Sequence, residues 1–302
     1  MRSPEGPEPS PGRRWWLEEP DGTGVCQALE VRPVHAERTA YQELAIWDHP
    51  WLGRVLTLDG VVQTTQADEF VYHEMLVHVP LLGAAVRRCE TGVDVLIVGG
   101  GDGGTLREVL VHPWVRRAVM VEIDERVVAV CREHLGIHGD YGDPRVELVI
   151  GDGTAFVADP ANRGAFDVVL VDSTDPGGPS EPLFGEAFTA GALACLRPGG
   201  VFARQMGVPF YQPFLREAAA SLGSVFGGFE IYRTAVPTYI GGDMAFLAAV
   251  AGGGTIARPL AEYTGRHYTP ALHRAAFAIP PWWTGGPWPT PFPGTGLERS
   301  GK

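Results

Sequence analysis

The sequence predicts an α/β protein, with a doubly wound parallel sheet preceded by a small antiparallel β region. From residue 93 onward, short continuous apolar runs alternate with helical segments, as in buried parallel strands with crossover helices. Before residue 64, shorter runs of alternating apolar and polar residues are separated by turn residues, as in antiparallel hairpins. A run of glycines joins the first parallel strand to a helix, which is typical of ligand-binding sheets of this class.

The N-terminal region contains three predicted strands, over residues 25–31, 43–47 and 54–58. The dipeptide Asp59-Gly60 follows the third and favours a tight hairpin turn. A helix is predicted over residues 68–82, because apolar residues recur at helical spacing and two acidic residues occupy the first turn.

The later elements repeat one pattern, a strand followed by a helix. Strands are predicted over residues 93–98, 118–122, 146–150, 166–171, 201–205, 229–233 and 244–250, and helices over 104–111, 125–134, 186–196 and 214–222. The domain prediction is a disordered leader (1–12), an N-terminal β-strand domain (13–66), an α/β catalytic domain (67–280) and an irregular tail rich in Pro, Gly and Trp (281–302).

The composition limits the kinds of partner. The 302 residues include 24 Lys and Arg against 36 Asp and Glu, giving a formal net charge of −12. This acid excess argues against nucleic acid and against an anionic membrane surface, and it leaves room for a cationic ligand. The four cysteines lie far apart, the N-terminus resembles no signal peptide, and no apolar run is long enough to span a membrane. We therefore expect a cytoplasmic protein without a disulfide or zinc framework.

The glycine-rich turn predicts a nucleoside site. The strand over residues 93–98 leads into Gly99-Gly100-Gly101-Asp102-Gly103-Gly104, where missing Cβ atoms let a ligand approach the backbone. Glu122 stands twenty residues after Asp102, at the end of the next strand, where a carboxylate can accept both ribose hydroxyls. The alternative is a tight turn beside a surface glutamate.

Asp102 restricts the kind of nucleoside. A carboxylate in this loop repels the pyrophosphate of NAD but suits a cationic ligand. S-adenosylmethionine carries a sulfonium and a carboxylate, whereas its decarboxylated form keeps the sulfonium and an ammonium only. Asp152-Gly153, after the third parallel strand, could accept from the adenine amine, although this dipeptide also occurs in simple turns.

A second acidic loop follows the fourth parallel strand. Asp172 ends that strand and Asp175 lies three residues on, in a segment rich in Pro and Gly. Ligands of open α/β sheets bind beyond the carboxyl ends of the strands, so these acids join Asp102 and Glu122 at one edge. They could instead be a strand-end cap and a turn former. Four carboxylates together repel one another without a cation, which favours an amine substrate.

An amine nucleophile requires a base. An alkylamine with a pKa of ~10.4 exposes its lone pair at neutral pH at a cost of roughly 4.6 kcal/mol. Attack on a carbon next to a sulfonium needs that lone pair in line with the bond that breaks. Asp172 could bind the ammonium and then take its proton.

These residues resemble the polyamine aminopropyltransferases, and most of all bacterial spermidine synthases, over about residues 15–280. The matching segments are Tyr41-Gln42, Leu58 to Thr65, Asp68 to Met75, Gly99 to Gly104, Val121 to Asp124, Asp172 to Pro176, Gln205, Val236 to Tyr239, and Tyr268 to Ile279.

The resemblance implies a Rossmann-like domain of the class I methyltransferase type after the small β domain. It implies transfer of an aminopropyl group from decarboxylated S-adenosylmethionine to putrescine, giving spermidine and 5'-methylthioadenosine. That donor would be a cosubstrate, with no prosthetic group, and the protein would be a homodimer or homotetramer.

The resemblance also implies roles for individual residues. The nucleoside would be held by Gln42, Gly99, Gly101, Asp102, Glu122, Asp152, Gly153 and Pro179. The amine groups would contact Asp102 and His73. Asp172 would be the base, helped by Tyr72 and Tyr239. The acceptor channel would be shaped by Trp16, Ser173, Thr174, Asp175 and Gln205.

Several points stay open in the sequence. Asp243 stands where the family pattern suggests a small or apolar residue, so the acceptor could be cadaverine, agmatine or spermidine instead of putrescine. The sequence also allows a methyltransferase that uses intact S-adenosylmethionine, or a non-enzymatic polyamine-binding homologue. No metal is expected, because His73 and His78 are five residues apart and point in different directions on a helix. His112, His134 and His138 are predicted to lie on the surface.

Overall fold

The structure is a computed structural model and describes residues 8–18, 25–83, 92–211 and 214–285. Most of the predicted leader and most of the predicted tail, residues 1–7 and 286–302, lie outside the described residues. In the described part of the chain, no helix is both long and apolar enough to cross a membrane.

The N-terminal sheet has five antiparallel strands in sequential order. Their bounds are β1 (Arg14–Glu18), β2 (Gln27–Arg38), β3 (Glu43–His49), β4 (Gly53–Leu58) and β5 (Val61–Thr65). Asp59 and Gly60 link β4 to β5 with φ values of 48° and 77°. Both central residues of this two-residue loop thus have positive φ, as a type I′ hairpin turn requires, and the predicted turn is confirmed.

Helix α1 (Glu69–Gly83) follows the N-terminal sheet and packs against the larger one. It is buried on almost every side, from Val71 to Gly83, which explains its nearly continuous apolar sequence. The polar residues of its first turns are therefore inside the protein, where each needs a partner.

The larger sheet has seven strands in the order β11-β12-β10-β9-β6-β7-β8. Their bounds are β6 (Val93–Gly99), β7 (Val115–Glu122), β8 (Val146–Ile150), β9 (Phe166–Asp172), β10 (Leu196–Gln205), β11 (Glu230–Ala235) and β12 (Asp243–Val250). The strands from β10 to β8 are parallel, and β12 runs antiparallel to both β10 and β11. Chain order reverses between β6 and β9, which is where open α/β sheets bind ligands.

Helices cover both faces of this sheet. They are α2 (Gly104–Leu110), α3 (Glu125–Val130), α4 (Gly153–Ala158), α5 (Glu186–Cys195), α6 (Leu215–Phe226), α7 (Pro270–Ala276) and α8 (Pro281–Thr284), with 3-10 turns at Pro160–Asn162 and Gly178–Phe184. Along β6, Val95 and Ile97 pack on the side of α1, whereas Leu96 and Val98 pack in the core on the other face. This arrangement confirms the predicted fold class.

The structure differs from the predicted elements at several places. Five elements were not predicted, since each is seven residues or shorter and shows no clear periodicity: strands β1 and β5 and helices α4, α7 and α8, the last of which begins the predicted irregular tail. The predicted helix over 125–134 changes to a π turn at Cys131–Leu135. The prediction of a surface position is wrong for His112, which is 3% exposed and packs between His78 and Trp114.

Candidate active site

The glycine loop passes tightly between the ends of β6 and β9. Gly99, Gly100 and Gly103 have φ values of 84°, 75° and 83°, which side chains rarely adopt. A Cβ on Gly99 would overlap the carbonyl of Asp172, and the amide of Gly100 donates to that carbonyl at 2.7 Å. The predicted residues Asp102 and Asp172 are thereby brought to the same edge.

Asp172 lies at the end of β9 and is held by two hydroxyl groups. Tyr72 donates to its Oδ1 at 2.7 Å, and Thr105 donates to its Oδ2 at 2.7 Å. Burial raises the pKa of Asp172, with a further rise from Asp102, while His73 opposes both. The carboxylate is thus oriented and its affinity for a proton is increased. Thr105 was not predicted as a site residue.

Tyr72 keeps its proton in this environment. Burial raises the pKa of Tyr72 well above its ordinary value, and the negative charge of Asp172 adds to the rise. The phenol is therefore a hydrogen-bond donor to Asp172, and because it already carries its proton it cannot take up another.

Asp102 is held inside the loop that it belongs to. Its Oδ1 accepts from the amide of Gly104 at 2.8 Å, and its Oδ2 lies 3.3 Å from Nε2 of His73. Burial opposes ionisation of Asp102, but His73 reverses the effect, and its pKa is lowered. The loop therefore carries a charged carboxylate.

His73 lies between several carboxylates. Its Nδ1 is 2.6 Å from Oε2 of Glu69, and its Nε2 is 4.0 Å from Oδ2 of Asp172 as well as close to Asp102. Burial would lower the pKa of His73, but Asp102 and Glu69 raise it well above its ordinary value. In the imidazolium state both ring nitrogens carry protons, and each faces a carboxylate.

Tyr239 comes to the site from the turn between β11 and β12. Its hydroxyl donates to the carbonyl of Gln63 at 2.7 Å, and its ring meets that of Tyr72 edge to face at 6.4 Å. Asp68 fixes the turn by accepting from both the amide and the hydroxyl of Thr238. Tyr239 is therefore placed beside Tyr72 by contacts that reach back to β5 and the start of α1.

The predicted nucleoside residues lie around the ends of β6, β7 and β8. Glu122 is 7% exposed, accepts from the amide of Asp124 at 2.9 Å, and touches the position where Gly101 would carry a Cβ. Burial raises the pKa of Glu122 to about 7. Gln42 donates to Asp124 at 3.2 Å, so the N-terminal sheet is tied to this part of the site.

Asp152, Gly153 and Pro179 lie near the same edge. Asp152 is exposed and caps α4 by accepting from the amide of Thr154 at 2.7 Å. Gly153 packs so closely on Val98 that a side chain would not fit. Pro179 is in the 3-10 turn at Gly178–Phe184, which follows the acidic loop.

The predicted acceptor residues form a hydrogen-bonded group beyond β9 and β10. Nε2 of Gln205 donates to the carbonyl of Ser173 at 2.9 Å and to Oδ1 of Asp175 at 3.3 Å. The hydroxyl of Ser173 donates to the carbonyl of Thr174 at 3.0 Å. Trp16 instead packs on Trp47 in the N-terminal sheet, with ring centroids 6.3 Å apart.

Sequence reasoning missed Glu18, a buried carboxylate on β1. It accepts from the amide of Val62 at 2.9 Å and from the side chain of Gln27, which also donates to the carbonyl of Thr238. Burial raises the pKa of Glu18, and Asp175 contributes to the rise, so the two acids are near each other. The signal in the sequence was the spacing of Trp16 and Glu18, two residues apart, which places both side chains on one face of a strand such as β1.

Comparison with known proteins decides the family. A model of the spermine/spermidine synthase domain matches residues 69–252, more than half of the chain, and a model of the spermidine synthase tetramerisation domain matches residues 14–66. The chain belongs to the spermine/spermidine synthase family. The family predicted from the sequence is confirmed, and so is the prediction of a transferase.

Known members of the spermine/spermidine synthase family resemble this chain over most of its length. Polyamine aminopropyltransferase 1 of Pseudomonas aeruginosa is 46% identical over 260 residues, which cover 82% of this chain and 88% of the relative. The polyamine aminopropyltransferase of Escherichia fergusonii is 46% identical over 261 residues, with the same coverage.

Solved spermidine synthases have the same fold. One, in complex with the transition state analogue AdoDATO, superposes with a TM-score of 0.81 at 33% identity, covering 90% of this chain and 94% of that chain. Spermidine synthase from Thermotoga maritima gives a TM-score of 0.80 at 32% identity, with 90% and 93% covered.

Proposed function

We propose that this family member transfers the aminopropyl group of decarboxylated S-adenosylmethionine to putrescine, giving spermidine and 5'-methylthioadenosine. The observation that carries the proposal is the pair of partly buried carboxylates, Asp102 and Asp172, at the reversal point of the sheet. Such a pair suits a cationic donor and an amine acceptor, and it repels a ligand that brings a carboxylate of its own.

The donor would lie along the glycine loop. We infer that Glu122 accepts from its ribose hydroxyls, and that Gln42, Asp152, Gly153 and Pro179 surround the nucleoside. Gly99 and Gly101 let it approach the backbone. Asp102 would attract the ammonium of the aminopropyl group. It would repel the carboxylate that intact S-adenosylmethionine carries at the same end.

The acceptor would enter between Asp172 and the group around Asp175. Gln205, Ser173 and Thr174 line that side, and Glu18 adds a second buried carboxylate near Asp175. We infer that the far ammonium of the diamine lies near Asp175 and Glu18, and that Trp16 borders the channel. Asp243 is 3.2 Å from Arg233, which argues for a role in this ion pair rather than in the channel.

The chemical step is one displacement. The acceptor nitrogen gives its lone pair to the methylene carbon next to the sulfonium, the carbon–sulfur bond breaks, and sulfur keeps the electron pair as a neutral thioether. Before the attack, Asp172 takes a proton from the acceptor ammonium and so frees the lone pair, whose exposure at neutral pH costs roughly 4.6 kcal/mol in water. Tyr72 and Tyr239 would orient Asp172 and the nitrogen.

The test is product identification by mass spectrometry, with decarboxylated S-adenosylmethionine and separate acceptors: putrescine, cadaverine, agmatine and spermidine. The proposal expects putrescine to give spermidine at the highest kcat/KM, with one methylthioadenosine per turnover. A methylated product with intact S-adenosylmethionine, or no product from any amine, would refute it.

Two properties of the whole protein remain predictions. The match of residues 14–66 to a tetramerisation domain supports a homodimer or homotetramer. The proposed reaction makes a small cation from water-soluble substrates, which supports a location in the cytoplasm. Sedimentation of the purified protein and fractionation of cells would check them.

A further inference from the structure

A chain of ionic contacts, from partly buried to fully buried, lies behind the carboxylates Asp102 and Asp172. Glu69 and His73 are one turn apart on α1 and are 4% and 1% exposed. Arg107, on α2, donates to both oxygens of Glu69, at 3.0 and 2.8 Å. The order is therefore Arg107, Glu69, His73 and then Asp102.

Arg107 is fixed on its other side as well. Its Nε donates to Glu108 at 2.8 Å, and its Nη1 donates to the carbonyl of Ile137 at 2.5 Å. The guanidinium cannot reorient without breaking several hydrogen bonds, and a bidentate pair with a carboxylate fixes direction as well as distance. Glu69 is thus held with one oxygen aimed at His73.

The ring of His73 is fixed by packing. Gly104 lies against its edge so closely that a Cβ at this position would overlap the ring, and the ring of Tyr72 meets it edge to face at 5.1 Å. With Nδ1 facing Glu69 and Nε2 facing Asp102, a neutral imidazole would present a lone pair to a carboxylate on one side. Both contacts are satisfied only by the imidazolium.

We propose, on the basis of the proposed function, that Glu69 and Arg107 are positioning residues that keep His73 as an oriented imidazolium, and that this cation keeps Asp172 ionised and ready to take the proton of the acceptor amine. In this role His73 does not contact the substrate. Its positive charge favours the ionised forms of Asp102 and Asp172. Contact of His73 with an amine, which the family resemblance implies, would bring two cations together.

The charges that face Asp172 determine whether loss of the imidazolium raises or lowers the pKa of Asp172. The groups around it are Tyr72 and His73 on α1, Asp102 in the loop, Thr105 on α2, Glu122 at the end of β7, and Tyr239. Of these only His73 is a cation, and Asp102 and Glu122 disfavour a second negative charge. Those facing His73 are Glu69, Asp102, Asp172 and Tyr72. Loss of the imidazolium therefore makes Asp172 bind a proton more readily.

The test is the pH dependence of kcat at saturating donor and acceptor, which reports groups of the bound complex. Glu69→Gln should move the acidic limb, where Asp172 becomes protonated, to higher pH by about one unit or more, since a cation about 4 Å from a carboxylate shifts its pKa by that amount. The matched control is Glu37→Gln, which removes a bidentate pair with Arg126 on the surface and should leave the limb unchanged. An unshifted limb in a folded Glu69→Gln protein overturns the proposal.

Double substitution tests whether Glu69 acts through His73. His73→Gln should shift the limb at least as far as Glu69→Gln, and the double variant should shift it no further than His73→Gln alone. Additive shifts would mean that Glu69 acts by another route and would overturn the positioning role.

A second readout does not depend on turnover. In protein with labelled histidine, NMR at pH 8 should show His73 as an imidazolium in the wild type and as a neutral ring in Glu69→Gln, with His73→Gln giving the assignment. A neutral His73 in the wild type, or an imidazolium that persists in Glu69→Gln, overturns the proposal even if the aminopropyl transfer is confirmed. If Glu69→Gln does not fold, Arg107→Gln and Arg107→Lys take its place, and the lysine variant should show the smaller shift because it keeps the charge.

Discussion

At the scale of single residues, the site depends on charges that burial makes sensitive to their neighbours. Asp102 and Asp172 both lie near Nε2 of the same imidazolium, at 3.3 and 4.0 Å, yet their pKa values move in opposite directions. Asp102 accepts a hydrogen bond from a backbone amide and lies closer to His73, whereas Asp172 accepts hydrogen bonds from two neutral hydroxyl groups. Environment therefore favours the charged form of Asp102 and the uptake of a proton by Asp172, as the proposed function requires.

Replacement of the proposed base tests this division directly. Asp172→Asn should lower kcat by roughly a hundredfold or more, because the acceptor loses its proton sink, while the Kd of methylthioadenosine stays nearly the same. Steady-state kinetics and calorimetry measure the two quantities. Asp159→Asn, an exposed aspartate in a turn, is the control, and near-wild-type turnover of Asp172→Asn would rule out this base.

The raised pKa of Glu122 predicts a pH dependence of nucleoside binding. With a pKa of about 7, the carboxylate is largely ionised at pH 8 and largely protonated at pH 6, and only the ionised form accepts from both ribose hydroxyls. The affinity for methylthioadenosine should therefore fall by up to about tenfold from pH 8 to pH 6. Glu122→Gln should bind weakly and equally at both pH values, and a flat wild-type curve would contradict the assigned contact.

At the scale of elements, the order of strands and loops could be read from the sequence because the parallel strands are continuous apolar runs. Val93–Gly99 and Phe166–Asp172 are buried on both faces, so their ends, and hence the acids after them, could be located. Strand β1 could not, since this edge strand leaves Trp15 and Leu17 exposed and so lacks a clear pattern. Glu18 was missed with it.

The contacts between elements could not be predicted from the sequence either. The resemblance named His73, but nothing in the order of residues indicated that Arg107 of α2 pairs with Glu69, the residue of α1 that contacts His73. Packing also decided the exposure of His112, because its predicted surface position ignored the C-terminal segment around Tyr263 that covers it. Such contacts depend on how distant elements pack.

The junction of the glycine loop and α2 allows a test at this scale. Gly104→Ala places a methyl group where the His73 ring lies, so either the ring or the first turn of α2 must move. Turnover should fall at least about tenfold, because displaced catalytic groups lose rate steeply, while the protein remains folded. Gly223→Ala in α6, where the added methyl only approaches the edge of Phe229, should leave kinetics unchanged; equal kinetics for both variants would contradict the close packing described.

At the scale of the whole molecule, the net charge of −12 has a partial structural explanation. Asp102, Asp172 and Asp175 converge at the carboxyl edge of the large sheet, as predicted, and Glu18 joins them from the other sheet. The two sheets are joined across this edge by Gln42, Gln27 and the start of α1. In the proposed function, these few acids, rather than the net charge as a whole, would bear on the choice of ligand.

If the proposed function is correct, these acids select a donor without a carboxylate. The direct measurement is the Kd of decarboxylated and of intact S-adenosylmethionine, by calorimetry, for the wild type and for Asp102→Asn. We expect the wild type to bind the decarboxylated donor at least about tenfold more tightly, and Asp102→Asn to reduce that ratio, because the carboxylate attracts the ammonium and repels the extra carboxylate. Tighter binding of intact S-adenosylmethionine by the wild type would contradict the account.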